Sequence, residues 1–354
     1  MNGTNAPAPN GAASVERNGA ASPLQSGAAP LLQVRGLVKQ FPSGGGWLGG
    51  RKQIVHAVNG VSFDVGRGQS LGLVGESGCG KSTVARMLLR LIEPDAGNIR
   101  FEGQDLAAAG AAELRALRRR MQIVFQDPYA SLNPRLTVRQ ALSEPLRVHR
   151  LGDAAKIDAK VSRTLQEVGL PLSALDRYPH EFSGGQRQRI GIARALVLDP
   201  QLIVADEPVS ALDVSVQAQI LQLLERLKRE RGLSFVFVSH DLGVVRHFCD
   251  TVCVMYLGRV IEQGPTRQVL DAPQHPYSRV LRDSSPVPDP RARITLARIS
   301  GEIPAPTNLP SGCTFHPRCV YARPDCATRI PELTHRAGAM DRAVACFYPL
   351  VSPE

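Results

Sequence analysis

Short apolar runs alternate with amphipathic stretches along the chain. Ser70–Val74, Met121–Phe125, Leu202–Ala205 and Phe235–Val238 are nearly continuous apolar runs, the pattern of strands buried on both faces of a sheet. Between them apolar residues recur at helical spacing: Val84, Met87, Leu88 and Leu91 after Lys81, then Ile190, Ala193 and Val197 after Gln186. Strands alternating with helices predict an α/β domain with a largely parallel sheet. His56–Val65 alternates as a strand does, which predicts an antiparallel portion ahead of Gly75. Residues 1–30 are mostly Ala, Gly, Asn, Pro and Ser, without periodicity. They cannot bury enough apolar surface to offset their ordering entropy, so a disordered tail is expected there. The main domain is expected over 31–268. Beyond it, Pro and Ser enrichment over 283–312 predicts a linker, and residues 269–354 a small appended C-terminal region.

With 43% hydrophobic and 21% charged residues, the composition excludes wholesale disorder. No run of about eighteen apolar residues occurs, so no membrane span is expected. The N-terminus lacks a basic region followed by an apolar stretch, so a cytosolic chain without a secretory signal is expected. The net charge of +10 raises the question of nucleic acid or an anionic membrane as partner. Only six of the 42 basic residues are Lys, and the Arg are scattered apart from the run Arg118–Arg120. No nucleic-acid partner is therefore expected.

The sharpest local signal is Gly75, Glu76, Ser77, Gly78, Cys79, Gly80, Lys81, Ser82, which fits G-x-x-x-x-G-K-[ST] and is followed by Thr83. Glycines let the backbone curl so that successive N–H groups converge on phosphate oxygens, while the following helix presents its positive end. Lys81 would neutralise the β- and γ-phosphates, and the Ser82 hydroxyl would hold Mg²⁺. The context, strand then loop then helix, is the one this chemistry requires. Leu202–Ala205 runs into Asp206 and Glu207, delivering two carboxylates to the carboxyl edge of a buried strand. Alone they read as a solvated turn. Beside a phosphate loop, Asp206 suits the Mg²⁺ shell and Glu207 the general base for an attacking water. Phe182 precedes Ser183, Gly184, Gly185 and Gln186, and Ser183 lies 23 residues ahead of Asp206. A Ser-Gly-Gly turn that opens a helix is either an ordinary cap or a second anion cradle. Two cradles for one nucleotide are reconciled by a head-to-tail dimer, each cradle closing on the partner's nucleotide.

In this order the segments resemble the ATP-binding subunit of an ABC transporter, over roughly residues 31–265. The resemblance implies a P-loop ABC ATPase fold: a RecA-like parallel-sheet core, an antiparallel β subdomain and a helical signature subdomain. It implies that Gln126 is the Q-loop residue, touching Mg²⁺ and sensing the membrane partner. It makes Ser183–Gln186 the signature and places Asp213, in Ser210–Asp213, in the D-loop across the dimer interface. It makes His240, after Phe235–Val238, the switch histidine that holds the γ-phosphate. Phe41 matches the residue that stacks on adenine; a core phenylalanine is the competing reading, and the Gly-rich insertion Ser43–Gly50 follows it. Phe182 stands where the family usually has Leu, a change of packing residue rather than of an N–H donor. With Lys81, Glu207 and His240 present, the expected reaction is ATP plus water to ADP plus phosphate.

Phe125–Arg135, His275-Pro276-Tyr277 and Gly312–Cys319 are similar to segments of oligopeptide and dipeptide importer ATPases. That branch implies ATP-driven peptide uptake at the cytoplasmic face of the membrane, with nickel or glutathione as alternative solutes. It implies a second, related ATPase subunit, two permease subunits and an extracytoplasmic binding protein, with residues 127–150 against the permeases. Four of the seven cysteines, Cys313, Cys319, Cys326 and Cys346, fall in the last 42 residues. In a reducing cytosol such a cluster points to metal rather than disulfides. Its C-x5-C-x6-C-x19-C spacing matches neither the C-x2-C zinc pattern nor the bacterial ferredoxin run. The resemblance implies a [4Fe–4S] cluster there, with Zn²⁺ as the alternative. Cys249 and Cys253 read as small buried hydrophobes. A soluble ABC ATPase acting on nucleic acid or ribosomes is the rival reading, but one phosphate loop, one signature and no heptad run argue against it. An exporter ATPase fits the core motifs and leaves the cysteine segment unexplained.

Overall fold

A computed structural model describes residues 29–43, 53–127, 131–284, 301–336 and 339–351. Residues 1–28 of the expected tail, 44–50 of the Gly-rich insertion and 285–300 of the expected linker lie outside the described residues. In chain order the strands are β1 (Leu32–Ser43), β2 (Gln53–Val65), β3 (Ser70–Val74), β4 (Ala96–Phe101), β5 (Gln104–Asp105) and β6 (Met121–Val124), then β7 (Leu202–Asp206), β8 (Ser234–Ser239), β9 (Thr251–Tyr256), β10 (Arg259–Pro265), β11 (Thr334–Arg336) and β12 (Ala339–Val344). The helices are α1 (Lys81–Leu88), α2 (Ala111–Arg120), α3 (Val138–Val148), α4 (Ala154–Glu167), α5 (Gly184–Leu196), α6 (Val214–Arg231), α7 (Leu242–Phe248), α8 (Thr266–Asp271) and α9 (Pro276–Asp283).

Eight strands form one sheet in the order β11-β12-β10-β9-β3-β8-β7-β6. Its β9-β3-β8-β7-β6 portion is parallel. Every residue of β3, β7 and β8 is buried, the physical counterpart of their unbroken apolar runs. The edge strand β6 is only half-buried. A second, antiparallel sheet has the order β2-β1-β4-β5 and packs its own core of Leu32, Val34, Phe63 and Phe101 with β3 and α1. The strand expected over 56–65 is the inner part of β2.

Helices α3, α4 and α5 make a separate helical layer, where Leu142, Val161, Leu165 and Ile190 are fully buried in one cluster. Thr137 and Gln140 form a capping box that fixes the start of α3. The parallel core, the antiparallel β portion and the helical portion are thus all present. Among the described residues, no helix is long and apolar enough to cross a membrane.

The C-terminal segment is joined to this core by the main sheet itself, because β12 pairs with β10 through Glu262↔Val344 and Gln263↔Ala343. Glu262 is fully buried and its carboxylate is saturated. It accepts from the N–H groups of Gln274 and His275, both at 2.9 Å, and from Arg342 Nη2 at 2.5 Å. One carboxylate therefore fixes β10, the approach to α9 and β12 together.

Candidate functional site

The loop between β3 and α1 opens at the carboxyl edge of the parallel strands, where open α/β sheets place their ligands. Two of its glycines are dictated by space. At Gly80 (φ 104°) a Cβ would lie 2.2 Å from the Ala57 carbonyl oxygen, and at Gly75 (φ 152°) 2.3 Å from that of Met255. No side chain caps the start of α1, so its first N–H groups remain for an anion. Lys81 folds back on the loop, its Nζ donating to the carbonyls of Gly75 (2.8 Å) and Glu76 (3.0 Å). Cys79 Sγ is 3.8 Å from the same Nζ, but burial pushes its thiol up, which removes it from thiolate chemistry.

Three further strand ends converge on the loop. From β7, Asp206 accepts the Ser82 hydroxyl at 2.9 Å. Burial raises the Asp206 carboxyl above its usual range, and the Ser82 hydrogen bond opposes that rise. The next residue, Glu207, adopts φ 46° and is pinned by its N–H to the Val238 carbonyl (3.0 Å) and by the Ser210 hydroxyl to its own carbonyl (3.1 Å). A non-glycine residue in this region is strained and persists only when its surroundings over-determine it. Glu207 Oε2 accepts from Gln126 Nε2, which follows β6, at 3.1 Å. It lies 3.4 Å from Nδ1 of His240, which follows β8.

These groups face one cavity of about 610 Å³, lined by Phe41, Lys81, Ser82, Gln126, Glu207 and His240. Ser77, Gly78, Gly80 and Thr83 line it too; Gly75, Glu76, Cys79 and Asp206 do not. Phe41 sits half-buried opposite Val55 in the β1–β2 ladder, with Lys39 Nζ 5.4 Å from its ring centre. The wall also includes Val55, Ala57 and Pro306, which the sequence reading did not single out. The Pro306 carbonyl accepts the His56 N–H at 2.9 Å, a contact between segments 250 residues apart that no local signal could reveal. A second cavity, about 600 Å³ between Asn59, Arg259 and the 330–335 segment, contains none of the nucleotide-site residues or cysteines expected from the sequence.

Ser183, Gly184, Gly185, Gln186 and Asp213 do not line the 610 Å³ cavity of their own chain. Ser183 caps α5, donating its N–H to Gln186 Oε1 (3.0 Å) and accepting the Gln186 N–H at its hydroxyl (3.4 Å). A Cβ on Gly185 would fall 2.4 Å from Val216 Cγ1, so the glycine is what lets α5 and α6 approach. Asp213, exposed, begins α6, and the neighbouring Val214 is 82% exposed.

Cys313, Cys319, Cys326 and Cys346 line one small, mainly apolar cavity walled by Phe315 and Phe347. Burial is the main reason that the thiols of Cys313, Cys319 and Cys346 are raised, that of Cys346 to about 12, and the neighbouring thiols add to it. Backbone N–H groups oppose the rise: those of Phe315 and His316 point at Cys313, that of Tyr321 at Cys319 and that of Tyr348 at Cys346. His275, on the same wall, is buried with its Nε2 unpartnered. Four soft donors, N–H groups aimed at sulfur and an orphaned ring nitrogen are the chemistry of a thiolate-held group. Among the described residues, however, no three His, Cys, Asp or Glu side chains are gathered tightly enough to hold one metal ion.

Two family models match the chain: "ABC transporter" over residues 58–210, and "Oligopeptide/dipeptide transporter, C-terminal region" over 261–326. A putative peptide import ATP-binding protein of Brucella ovis is 51% identical over 304 residues, covering 86% of this chain and 94% of the relative. The oligopeptide transport ATP-binding protein AppF of Bacillus subtilis is 49% identical over 319 residues, covering 89% and 96%. Among solved structures, cbiO1 from Clostridium perfringens, part of the ABC transporter complex cbiONQ, is 30% identical with a TM-score of 0.59, covering 69% of this chain and 91% of that one. The ATP-binding cassette MJ0796, as a post-hydrolysis dimer bound to ADP and phosphate, is 28% identical with the same TM-score, covering 67% and 99%. With the phosphate loop, the paired acids and the histidine on one cavity, and a C-terminal region of the oligopeptide/dipeptide type, the chain belongs to the ABC transporter family of ATP-binding proteins.

Proposed function

We propose that the chain is the ATP-hydrolysing subunit of an importer that drives uptake of di- and oligopeptides. The observation that carries the reading is the single cavity in which Lys81, Ser82, Gln126, Glu207 and His240 meet, with the signature outside it on α5. Lys81 leaves the carbonyls of Gly75 and Glu76 and donates to the β- and γ-phosphates, while the N–H groups of Gly78 and Gly80–Thr83 cradle them. Ser82 and Gln126 hold Mg²⁺, which supplies charge neutralisation at the phosphates, and Asp206 orients the Ser82 hydroxyl. Glu207 takes the proton of the attacking water as its oxygen bonds to the γ-phosphorus and the bond to the β-bridging oxygen breaks. Gln126 and His240 hold the Glu207 carboxylate in place, and His240 also reaches the γ-phosphate. Phe41 stacks on the adenine.

Ser183, Gly184, Gly185 and Gln186 present the start of α5 to a partner's nucleotide, with Asp213 across the interface. ATP then draws two cassettes together, hydrolysis releases them, and two permease subunits at the cytoplasmic face of the membrane reorient in step. The partner cassette is a related but different subunit, and a binding protein on the other side delivers the peptide. The C-terminal region and the peptide-import names of the relatives support this branch over a soluble ATPase. Cys313, Cys319, Cys326 and Cys346 would hold a [4Fe–4S] cluster, a reading supported by the four thiols lining one cavity.

Affinity purification of the chain from detergent-solubilised membranes tests the assembly. Two permeases and a second ATPase should accompany it, and recovery only from the soluble fraction with nucleic acid or ribosomes would overturn the transporter reading. Anaerobically purified protein should contain iron and labile sulfide; stoichiometric zinc without iron would replace the cluster by Zn²⁺.

A further inference from the structure

The second residue of the phosphate loop is a carboxylate. Glu76 stands where successive N–H groups are arranged for a polyphosphate, and a free negative charge there opposes that ligand. The structure shows where the charge goes. Arg318, from the C-terminal segment, pairs with it through both guanidinium nitrogens, Nη1 to Oε2 at 3.0 Å and Nη2 to Oε1 at 3.3 Å. The pair spans 242 residues of sequence, and the arginine side chain is only 7% exposed. Nη1 also donates to the Tyr256 hydroxyl at 3.3 Å, and the guanidinium lies about 6 Å from the ring centres of Tyr256 and Phe315. The Glu76 N–H donates to the hydroxyl of buried Tyr277 at 2.9 Å. Tyr256, Tyr277 and Phe315 pack on one another with ring centres 4.6 to 5.4 Å apart, giving the arginine a rigid seat.

We infer that Arg318 is a positioning residue for nucleotide binding: it draws the Glu76 carboxylate out of the anion cradle and neutralises it, so that the C-terminal segment sets the affinity of the phosphate loop for ATP. The guanidinium suits this task, since a bidentate pair fixes both the charge and the direction of the carboxylate. Without it Glu76 is free to turn toward the cavity and repel the phosphates. The inference concerns the loop and its nucleotide.

The test is MgATP affinity by calorimetry, with every chain carrying Glu207→Gln so that nucleotide is not consumed during titration. Arg318→Met should weaken binding about tenfold, the order expected for an unscreened charge near a polyphosphate. Adding Glu76→Gln to that variant should recover most of the loss, and Arg318→Lys should fall between Arg318→Met and the native residue. The defect of Arg318→Met should also shrink as salt is raised. Loss of packing alone would not be repaired by removing a charge elsewhere, so the double variant separates the two causes. Binding by Arg318→Met within twofold of native, or no recovery in the double variant, overturns the inference. If the chain with both native residues binds no MgATP, the nucleotide reading itself fails.

Discussion

Glu207→Gln isolates the proposed base with the least disturbance of its surroundings. The strained backbone at φ 46° is held by main-chain and Ser210 contacts that do not involve the carboxylate, so the loop should keep its shape. Glutamine has the volume of glutamate, and its amide oxygen can still accept from Gln126 Nε2, now at 3.1 Å. What it loses is the ability to take a proton from water. General-base assistance accounts for about 10²- to 10⁴-fold in rate, which corresponds to about 3 to 5 kcal/mol of barrier. Phosphate release at saturating MgATP should therefore fall by at least about a hundredfold. Nucleotide affinity, set by Lys81 and the loop N–H groups, should stay within a few-fold of native. Because ATP persists, the variant should stay in an ATP-dependent complex with its partner cassette on size-exclusion chromatography. Phosphate release within tenfold of native would refute Glu207 as the base and return the water to Gln126 and His240.

Glu262→Gln should destabilise the chain by about 3 to 5 kcal/mol, the cost of leaving a buried charge without its partner, because Arg342 would face a neutral amide whose NH₂ also confronts the N–H groups of Gln274 and His275. Thermal unfolding would show it, and an unchanged midpoint would remove Glu262 as the tether of the C-terminal segment. Gly185→Ala should push α6 away from α5, since the added methyl meets the stiff side chain of Val216, at about 1 to 3 kcal/mol for such overpacking. ATPase activity should drop while nucleotide binding is retained, and Val216→Ala in the same chain should restore part of it. Failure of that second change to help would place the defect elsewhere than in the α5–α6 contact.

The sequence by itself determined most of the nucleotide site, because that chemistry is written in contiguous residues. Gly80 must be glycine, Lys81 and Ser82 must follow it, and Asp206 and Glu207 must end a buried strand. Such constraints leave local marks: a loop pattern, an apolar run stopping at two acids, a Ser-Gly-Gly cap. The apolar runs likewise located the central strands, since burial on both faces leaves no polar position to confuse the period. Tertiary structure decided everything that depends on segments distant in sequence. Only folding brings Pro306 to His56, ties β12 to β10 through Glu262, gathers four cysteines with unfamiliar spacing around one cavity, and carries Arg318 to the second residue of the phosphate loop. Hydrophobic periodicity reports how much of each segment is buried, whereas the partner of a buried charge depends on which segments the folded sheet places side by side.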